Sequence, residues 1–251
     1  MLSVISFRLS GEFASFRDPS VTSNQLVYLI PSKTAVIGII GAILGVERGH
    51  DFEKSYSGAY LELFRKTQIG IELLSEPNKF TFFTNHRSLK EDKTKPYKTE
   101  VLVSPSYNVY VRIEDEQTSG LFFNALRNNT FAYPPYLGHA YCPAKVSDVA
   151  MHEAELFDGL SYVTSSVVLD ESETYSSKFK IVDIEAKSKQ QSRLVIERHL
   201  HHFFEDDKFE KRVLKHWIPV GALPYEVFMS ERPKLSRATK LDDKDRIVCL
   251  Y

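Results

Sequence analysis

Within residues 4–10, Ile5, Phe7 and Leu9 are apolar and alternate with polar Ser6, Arg8 and Ser10. A period of two sends successive side chains to opposite faces, so this segment predicts a strand with one buried face. A polar connection over residues 11–28 follows, and after Pro31 the pattern changes to a nearly continuous apolar run. Ser32 stands where a helix N-cap is needed and Gly45 where a left-handed C-terminal residue ends one, so a helix is predicted over 33–44. That helix contains Gly38 and Gly41, each costing up to about 1 kcal/mol against alanine. The spacing of Gly38, Gly41 and Gly45 gathers them on roughly one face, where a sheet, a backbone or a ligand can approach closely. For Gly41 and Gly45 packing is the expected reason.

Further along, residues 67–75 predict a strand with Ile69, Ile71 and Leu73 on one face. Two β-rich segments, 79–84 and 101–113, flank a polar stretch containing Pro96, which together predict a long hairpin whose tip projects. Leu121, Phe122, Ala125 and Leu126 recur with helical spacing, placing a helix over 118–128, and 141–146 reads as a strand. The order strand, helix, strand, strand, helix, strand is that of the split β-α-β arrangement. Residues 162–169, 178–184, 193–200 and 246–250 predict strands, and 206–217 a short amphipathic helix. The expected fold class is therefore α+β, with an RRM or ferredoxin-like domain over 1–149, a β-hairpin thumb at about 79–113, and a smaller β-rich lobe over 150–251.

With 251 residues, 43% hydrophobic and 26% charged, the chain can bury a core. Two cysteines, Cys142 and Cys249, fit neither a disulfide scaffold nor a zinc signature and suit a reducing compartment. The opening residues lack the apolar run of a signal peptide, and the stretch 34–44 is shorter than a membrane span. A cytoplasmic protein without membrane attachment is expected.

The formal net charge is −1, which on its own argues against a nucleic-acid partner. The distribution is uneven. Between Lys79 and Lys98 there are six cations (Lys79, Arg87, Lys90, Lys93, Lys95, Lys98) and two acids (Glu91, Asp92), a local excess of +4. This is either a solvated loop or a basic patch for phosphates.

Catalytic motifs are scarce. Pro31-Ser32-Lys33-Thr34 opens a helix as a phosphate-binding loop does, but Tyr28, Leu29 and Ile30 occupy positions where such a loop needs glycine. A single backbone phosphate still suits helix N-terminal amides next to Lys33. His199 and His201 share one face if their segment is a strand, yet no carboxylate or cysteine set completes a metal site. G-x-S-x-G, H-E-x-x-H and C-x-x-C are all missing. A metal-independent ribonuclease needs only a base, an acid and a cation, and Tyr28, His86, Arg87, His139 and Lys145 supply those residue types.

Three quoted runs carry a resemblance: Ser10-Gly-Glu-Phe-Ala-Ser-Phe-Arg-Asp-Pro19, Gln25-Leu-Val-Tyr28, and Pro31-Ser-Lys-Thr-Ala-Val-Ile-Gly-Ile-Ile-Gly-Ala-Ile-Leu-Gly45. Together with Tyr136-Leu-Gly-His-Ala-Tyr-Cys-Pro143 they closely resemble the CRISPR-associated Cas-five family, particularly its subtype I-B-like members. The resemblance implies an RRM-like domain with a hairpin thumb that caps the 5′ handle of a crRNA inside a type I Cascade complex, without catalysis and without a cofactor. It implies partners as well: the crRNA, the repeated backbone subunit, the large subunit and, through the complex, target DNA. In the family the N-terminal loop and first helix approach the handle, which implies RNA contacts for Arg17, Asn24, Gln25, Tyr28, Lys33, Thr34 and Gly38. For His86, Arg87, Lys90, Lys93 and Lys95 the expectation rests on thumb position and charge. One branch of the family, in subtype I-C, cleaves precursor crRNA with a tyrosine, lysine and histidine set, which keeps the ribonuclease alternative open. Lys215-His216 is the adjacent pair of those types here. A purely structural adaptor is the third class, and it gives no reason for the basic hairpin.

Overall fold

In the computed structural model, which describes residues 2–21, 24–49, 56–87, 93–171, 178–183, 193–205, 208–241 and 246–251, the alternating opening segment forms strand β1 (Leu2–Ser10). It lies within a six-stranded sheet with β3 (Thr67–Leu73), β6 (Ser106–Ile113), β7 (Lys145–Leu156), β14 (Arg237–Leu241) and β15 (Ile247–Leu250), in the order β15-β14-β7-β1-β6-β3. All the strand pairings along this order are antiparallel. Beyond β15, Tyr251 exchanges two backbone hydrogen bonds with Ile69 of β3, at 2.9 and 3.0 Å, so the two edges of the sheet meet. Gly70 makes the close approach possible, because a Cβ there would stand 2.9 Å from the Cys249 carbonyl oxygen.

Helices α1 (Lys33–Leu44) and α3 (Glu116–Asn128) cover the face that carries Ile5, Phe7 and Leu9. Val36, Ile37, Ile40 and Ile43 of α1 are fully or almost fully buried, and Phe122 of α3 meets Phe7 edge to face at 5.9 Å. Each such side chain contributes about 1.5–3 kcal/mol through burial. On the opposite face Val4, Tyr110, Leu241, Val248 and Leu250 form a second cluster. The predicted caps of α1 are both present. Ser32 Oγ accepts the Ala35 N–H, and Gly45 takes φ 74° while its N–H donates to the Gly41 carbonyl.

Helix α2 (Gly58–Lys66), which the sequence pattern did not predict, packs Tyr60, Leu63 and Phe64 inward. Strands β2 (Phe13–Ala14), β4 (Asn78–Arg87) and β5 (Thr94–Val103) make a small sheet in the order β2-β5-β4. Strands β8 (Ser161–Thr164), β10 (Phe179–Asp183) and β13 (Tyr225–Met229) form another, and β9 (Val168–Asp170), β11 (Leu194–Glu205) and β12 (Lys208–Pro219) a third.

Several expectations need correction. The helix expected over 206–217 is the strand β12: Leu214, His216 and Ile218 point inward, and Val213, Lys215 and Trp217 lie on the more exposed face. The single strand expected over 101–113 is two, separated where Ser104 adopts φ 53°. The strand expected over 141–146 begins only at Lys145, since Cys142 belongs to a closed turn. The segment 162–169 divides between β8 and β9, which join different sheets. Among the described residues no helix is long and apolar enough to cross a membrane.

Candidate nucleic-acid interface

The loop ahead of α1 is held by hydrogen bonds at many of its backbone groups. The Tyr28 N–H donates to the Phe16 carbonyl at 2.9 Å, and the Leu29 N–H donates to the Glu197 carboxylate at 2.9 Å. The Leu29 carbonyl accepts the buried Tyr107 hydroxyl at 2.8 Å, and the Val27 carbonyl accepts Lys79 Nζ at 2.9 Å. Gln25 is strand-paired to the hairpin: its N–H donates to the Lys98 carbonyl at 2.8 Å and its carbonyl accepts the Glu100 N–H at 2.9 Å. Loop and hairpin are therefore one continuous surface. Asn24, half-buried, precedes that junction.

Tyr28 itself is buried. Its ring stacks on His199 and its hydroxyl donates to Asp18 Oδ1 at 2.8 Å. Burial works to raise the Asp18 pKa, but hydrogen bonds from Ser20 and from Tyr28 outweigh it and hold the carboxyl below its usual value. His199 is followed by His216 at 4.3 Å, and His216 meets Tyr251 edge-on at 5.8 Å. This chain of rings joins the loop to β11, β12 and the C-terminal end.

A cleft of about 400 Å³ opens between the loop, α1 and α2. Of the residues singled out in the sequence, Arg17, Tyr28, Thr34 and Gly38 line it. Arg17 is exposed, Thr34 Oγ1 lies 2.9 Å from the capping Ser32 Oγ, and Gly38 is exposed on the surface of α1. Lys33 is not among the lining residues, but its ammonium stands 5.1 Å from the centroid of the Phe64 ring, which does line the cleft, and burial lowers its pKa to about 8. The cleft also contains Arg48, Tyr56, Tyr60 and Tyr136, which sequence reasoning did not single out as site residues. Ser57 closes the chain around this region, donating its N–H to the Arg48 carbonyl at 2.8 Å and its hydroxyl to the Glu47 carbonyl. Arg48 is thereby held with its guanidinium 5.2 Å from the Tyr56 centroid.

The motif 136–143 is a tight turn pinned to the N-terminal segment. Leu137 accepts the Ser15 N–H at 2.9 Å, and its own N–H donates to the Cys142 carbonyl at 2.7 Å. Gly138 has φ 84°, and a Cβ there would lie 2.1 Å from the Ser15 carbonyl oxygen, so no other residue fits. This is the physical reason for the Leu-Gly pair, and it sets Tyr136 into the cleft.

On the hairpin, register puts Phe83 directly across from Lys98 and Arg87 across from Thr94, on the same face as Lys79. Phe83 is 76% exposed. Lys93 and Lys95 are exposed near the tip. Lys90 and the side chain of His86 lie outside the described residues. The described part of the hairpin carries five cations (Lys79, Arg87, Lys93, Lys95, Lys98) and one carboxylate, Glu100; Lys79, Arg87, Lys98 and Glu100 share one face, and the register puts Lys95 on the other.

The residue types of the ribonuclease alternative come from several elements. Tyr28 lines the cleft, His139 lies against Tyr141 with ring centroids 4.0 Å apart and planes tilted by 30°, and Lys145 begins β7 opposite Ser10. Lys215 and His216 alternate on β12, so His216 faces the core and Lys215 the other side. Among the described residues no group of three or more His, Cys, Asp or Glu side chains could hold a metal ion. Both cysteines are buried free thiols.

The family model described as CRISPR-associated protein (Cas_Cas5) matches residues 4–212. Among solved structures, a CRISPR protein from Archaeoglobus fulgidus is similar at 12% identity and a TM-score of 0.56, covering 99% of this chain and 98% of that one. A chain of a CRISPR RNA-guided surveillance complex is similar at 14% identity and a TM-score of 0.48, covering 88% of this chain and 92% of that one. A search of curated proteins gives no match. The family model spans both the N-terminal loop with α1 and the β11 strand that supports it, and the chain belongs to the Cas5 family of CRISPR-associated proteins.

Proposed function

We infer that the protein is a non-catalytic crRNA-binding subunit of a type I, I-B-like Cascade complex, and that it caps the 5′ handle of the guide RNA in antiviral defence. The observation that carries this reading is the strand-like pairing of Gln25 with β5, which joins the N-terminal loop to the basic hairpin as one surface. On that surface cations and an exposed phenylalanine alternate, the combination that single-stranded RNA meets with its phosphates and its unstacked bases. The sheet order β7-β1-β6-β3 with α1 and α3 in the crossovers is read as the RRM-type split β-α-β, and the β4–β5 hairpin as its thumb.

Arg17, Asn24, Gln25, Tyr28, Lys33, Thr34 and Gly38 belong to the loop and α1 side of the proposed contact, and Arg87, Lys93 and Lys95 to the hairpin side. Backbone and large subunits of the complex are the proposed protein partners. Purified protein should bind RNA copied from the 5′ handle of the CRISPR repeat in the same genome, and Arg17→Ala should weaken it at fixed salt. Incubation with precursor repeat RNA in EDTA should leave the RNA intact. Discrete cleavage abolished by His139→Ala would overturn the non-catalytic reading, and a handle left unprotected in the assembled complex would overturn RNA binding itself.

A further inference from the structure

Of the glycines on α1 and at its end, two are explained within the chain. A Cβ at Gly41 would stand 3.2 Å from the Val46 carbonyl oxygen, and Gly45 adopts the left-handed conformation that ends the helix. Gly38 is different. It is exposed, its backbone is helical, and a Cβ there would meet nothing within 4 Å. Glycine is a poor helix former, so neither propensity nor internal packing accounts for it. The space above it is the cleft.

The surfaces around that space are flat and aromatic. Tyr56 and Tyr60 stack at 5.5 Å with planes 17° apart, and Tyr136, 47% exposed, enters from the pinned turn. Arg17 and Arg48 add guanidinium groups, and Ser32 and Thr34 add hydroxyls. At about 400 Å³ the cleft sits near the lower end of ligand-pocket volumes, room for a nucleobase. A planar ring with an acceptor-bearing edge satisfies both features: aromatic rings take its faces, and the arginine forks take its edge.

We propose that the cleft over Gly38 captures a single unstacked nucleobase, with Tyr136 as the ring it meets and Arg48, held over the Tyr56–Tyr60 pair, as a donor to its edge. This rests on the RNA-binding reading above and adds to it a base-binding subsite distinct from the hairpin. Stacking explains why Gly38 has no side chain: any Cβ substituent larger than a methyl group fills the floor of the site.

The test uses handle RNAs from the same genome's repeat, each carrying 2-aminopurine at one position. With the wild-type protein one position should change its fluorescence on binding while its neighbours do not. Gly38→Leu should abolish that change and weaken handle binding by about 5- to 150-fold, the range of one lost base stack, while unfolding in urea occurs at the same or higher concentration. Tyr136→Ala, at an exposed position, should abolish the same signal independently of any effect on α1. If the wild type and Gly38→Leu bind handle RNA equally and no position reports, the subsite is refuted while the RNA reading stands. If the wild type binds no handle RNA, or if Tyr136 crosslinks only to a neighbouring subunit, the subsite is refuted together with the RNA-facing assignment of this surface.

Discussion

Tyr28 lies flat on His199, with ring centroids 3.9 Å apart and planes inclined by 16°. His199 is fully buried, and its Nε2 lies 3.0 Å from Glu197, whose carboxylate also accepts the Leu29 N–H. One strand of the C-terminal half thus holds both the side chain and the backbone of the N-terminal loop. His199→Ala removes the stack and opens a cavity, so the protein should lose about 2–4 kcal/mol of stability in urea unfolding. Tyr28→Phe keeps the ring and loses the bond to Asp18, for about 0.5–1.5 kcal/mol. Equal unfolding midpoints for His199→Ala and wild type would show that the stack does not hold the loop.

Lys33 gives a pH dependence with a definite sign. Its pKa is lowered to about 8 from 10.5 by burial, so between these values the unfolded chain binds a proton that the folded protein does not. Burying the charge therefore costs stability below pH 8, and this cost disappears as pH rises toward 10.5. Lys33→Met, which keeps an unbranched side chain of similar length without the charge, should be more stable than wild type at pH 7, and the difference should shrink between pH 8 and 10.5. A difference that stays constant across this window would contradict the assignment.

Two glycines that look alike in sequence should respond oppositely to alanine. At Gly138 the added methyl meets the Ser15 carbonyl at 2.1 Å and the backbone is at φ 84°. Gly138→Ala should cost more than about 2 kcal/mol and loosen the turn that carries Tyr136. At Gly38 the methyl meets nothing, so Gly38→Ala should leave stability unchanged or raise it by up to about 1 kcal/mol. Thermal unfolding of the two variants side by side decides the matter.

What could be read from the sequence follows from how local each signal is. Helix α1 was legible because both of its caps are single residues, Ser32 and Gly45, beside an apolar run. Strand β12 was not, because its inward positions are Leu214, His216 and Ile218: a buried histidine breaks the apolar alternation, and Val213, Leu214, Trp217 and Ile218 then imitate helical spacing. That histidine stacks on His199, and His199 stacks in turn on Tyr28, 171 residues earlier in the chain, a distance across which stacking has no local signature. The cleft was half legible. Arg17, Tyr28, Thr34 and Gly38 come from the loop and α1, whereas Arg48, Tyr56 and Tyr60 depend on α2, an element whose apolar positions Tyr60, Leu63 and Phe64 are too few to announce a helix.

The hairpin offers a way to separate its two kinds of contact. Phe83 is 76% exposed and faces Lys98 across the β4–β5 pair, so replacing either side chain removes almost no buried surface. Both Phe83→Ala and Lys98→Ala should unfold within about 0.5 kcal/mol of wild type. Their effects on RNA should differ in kind. A lysine at a phosphate releases counterions, so Lys98→Ala should reduce the slope of log affinity against log salt by about 0.7, the single-strand value for one contact. A phenylalanine under a base contributes stacking, which salt hardly screens, so Phe83→Ala should weaken binding by about 1–3 kcal/mol at every salt concentration with the slope unchanged. If Phe83→Ala shifts the slope instead, or if neither variant changes affinity at low salt, this face of the hairpin does not carry the RNA.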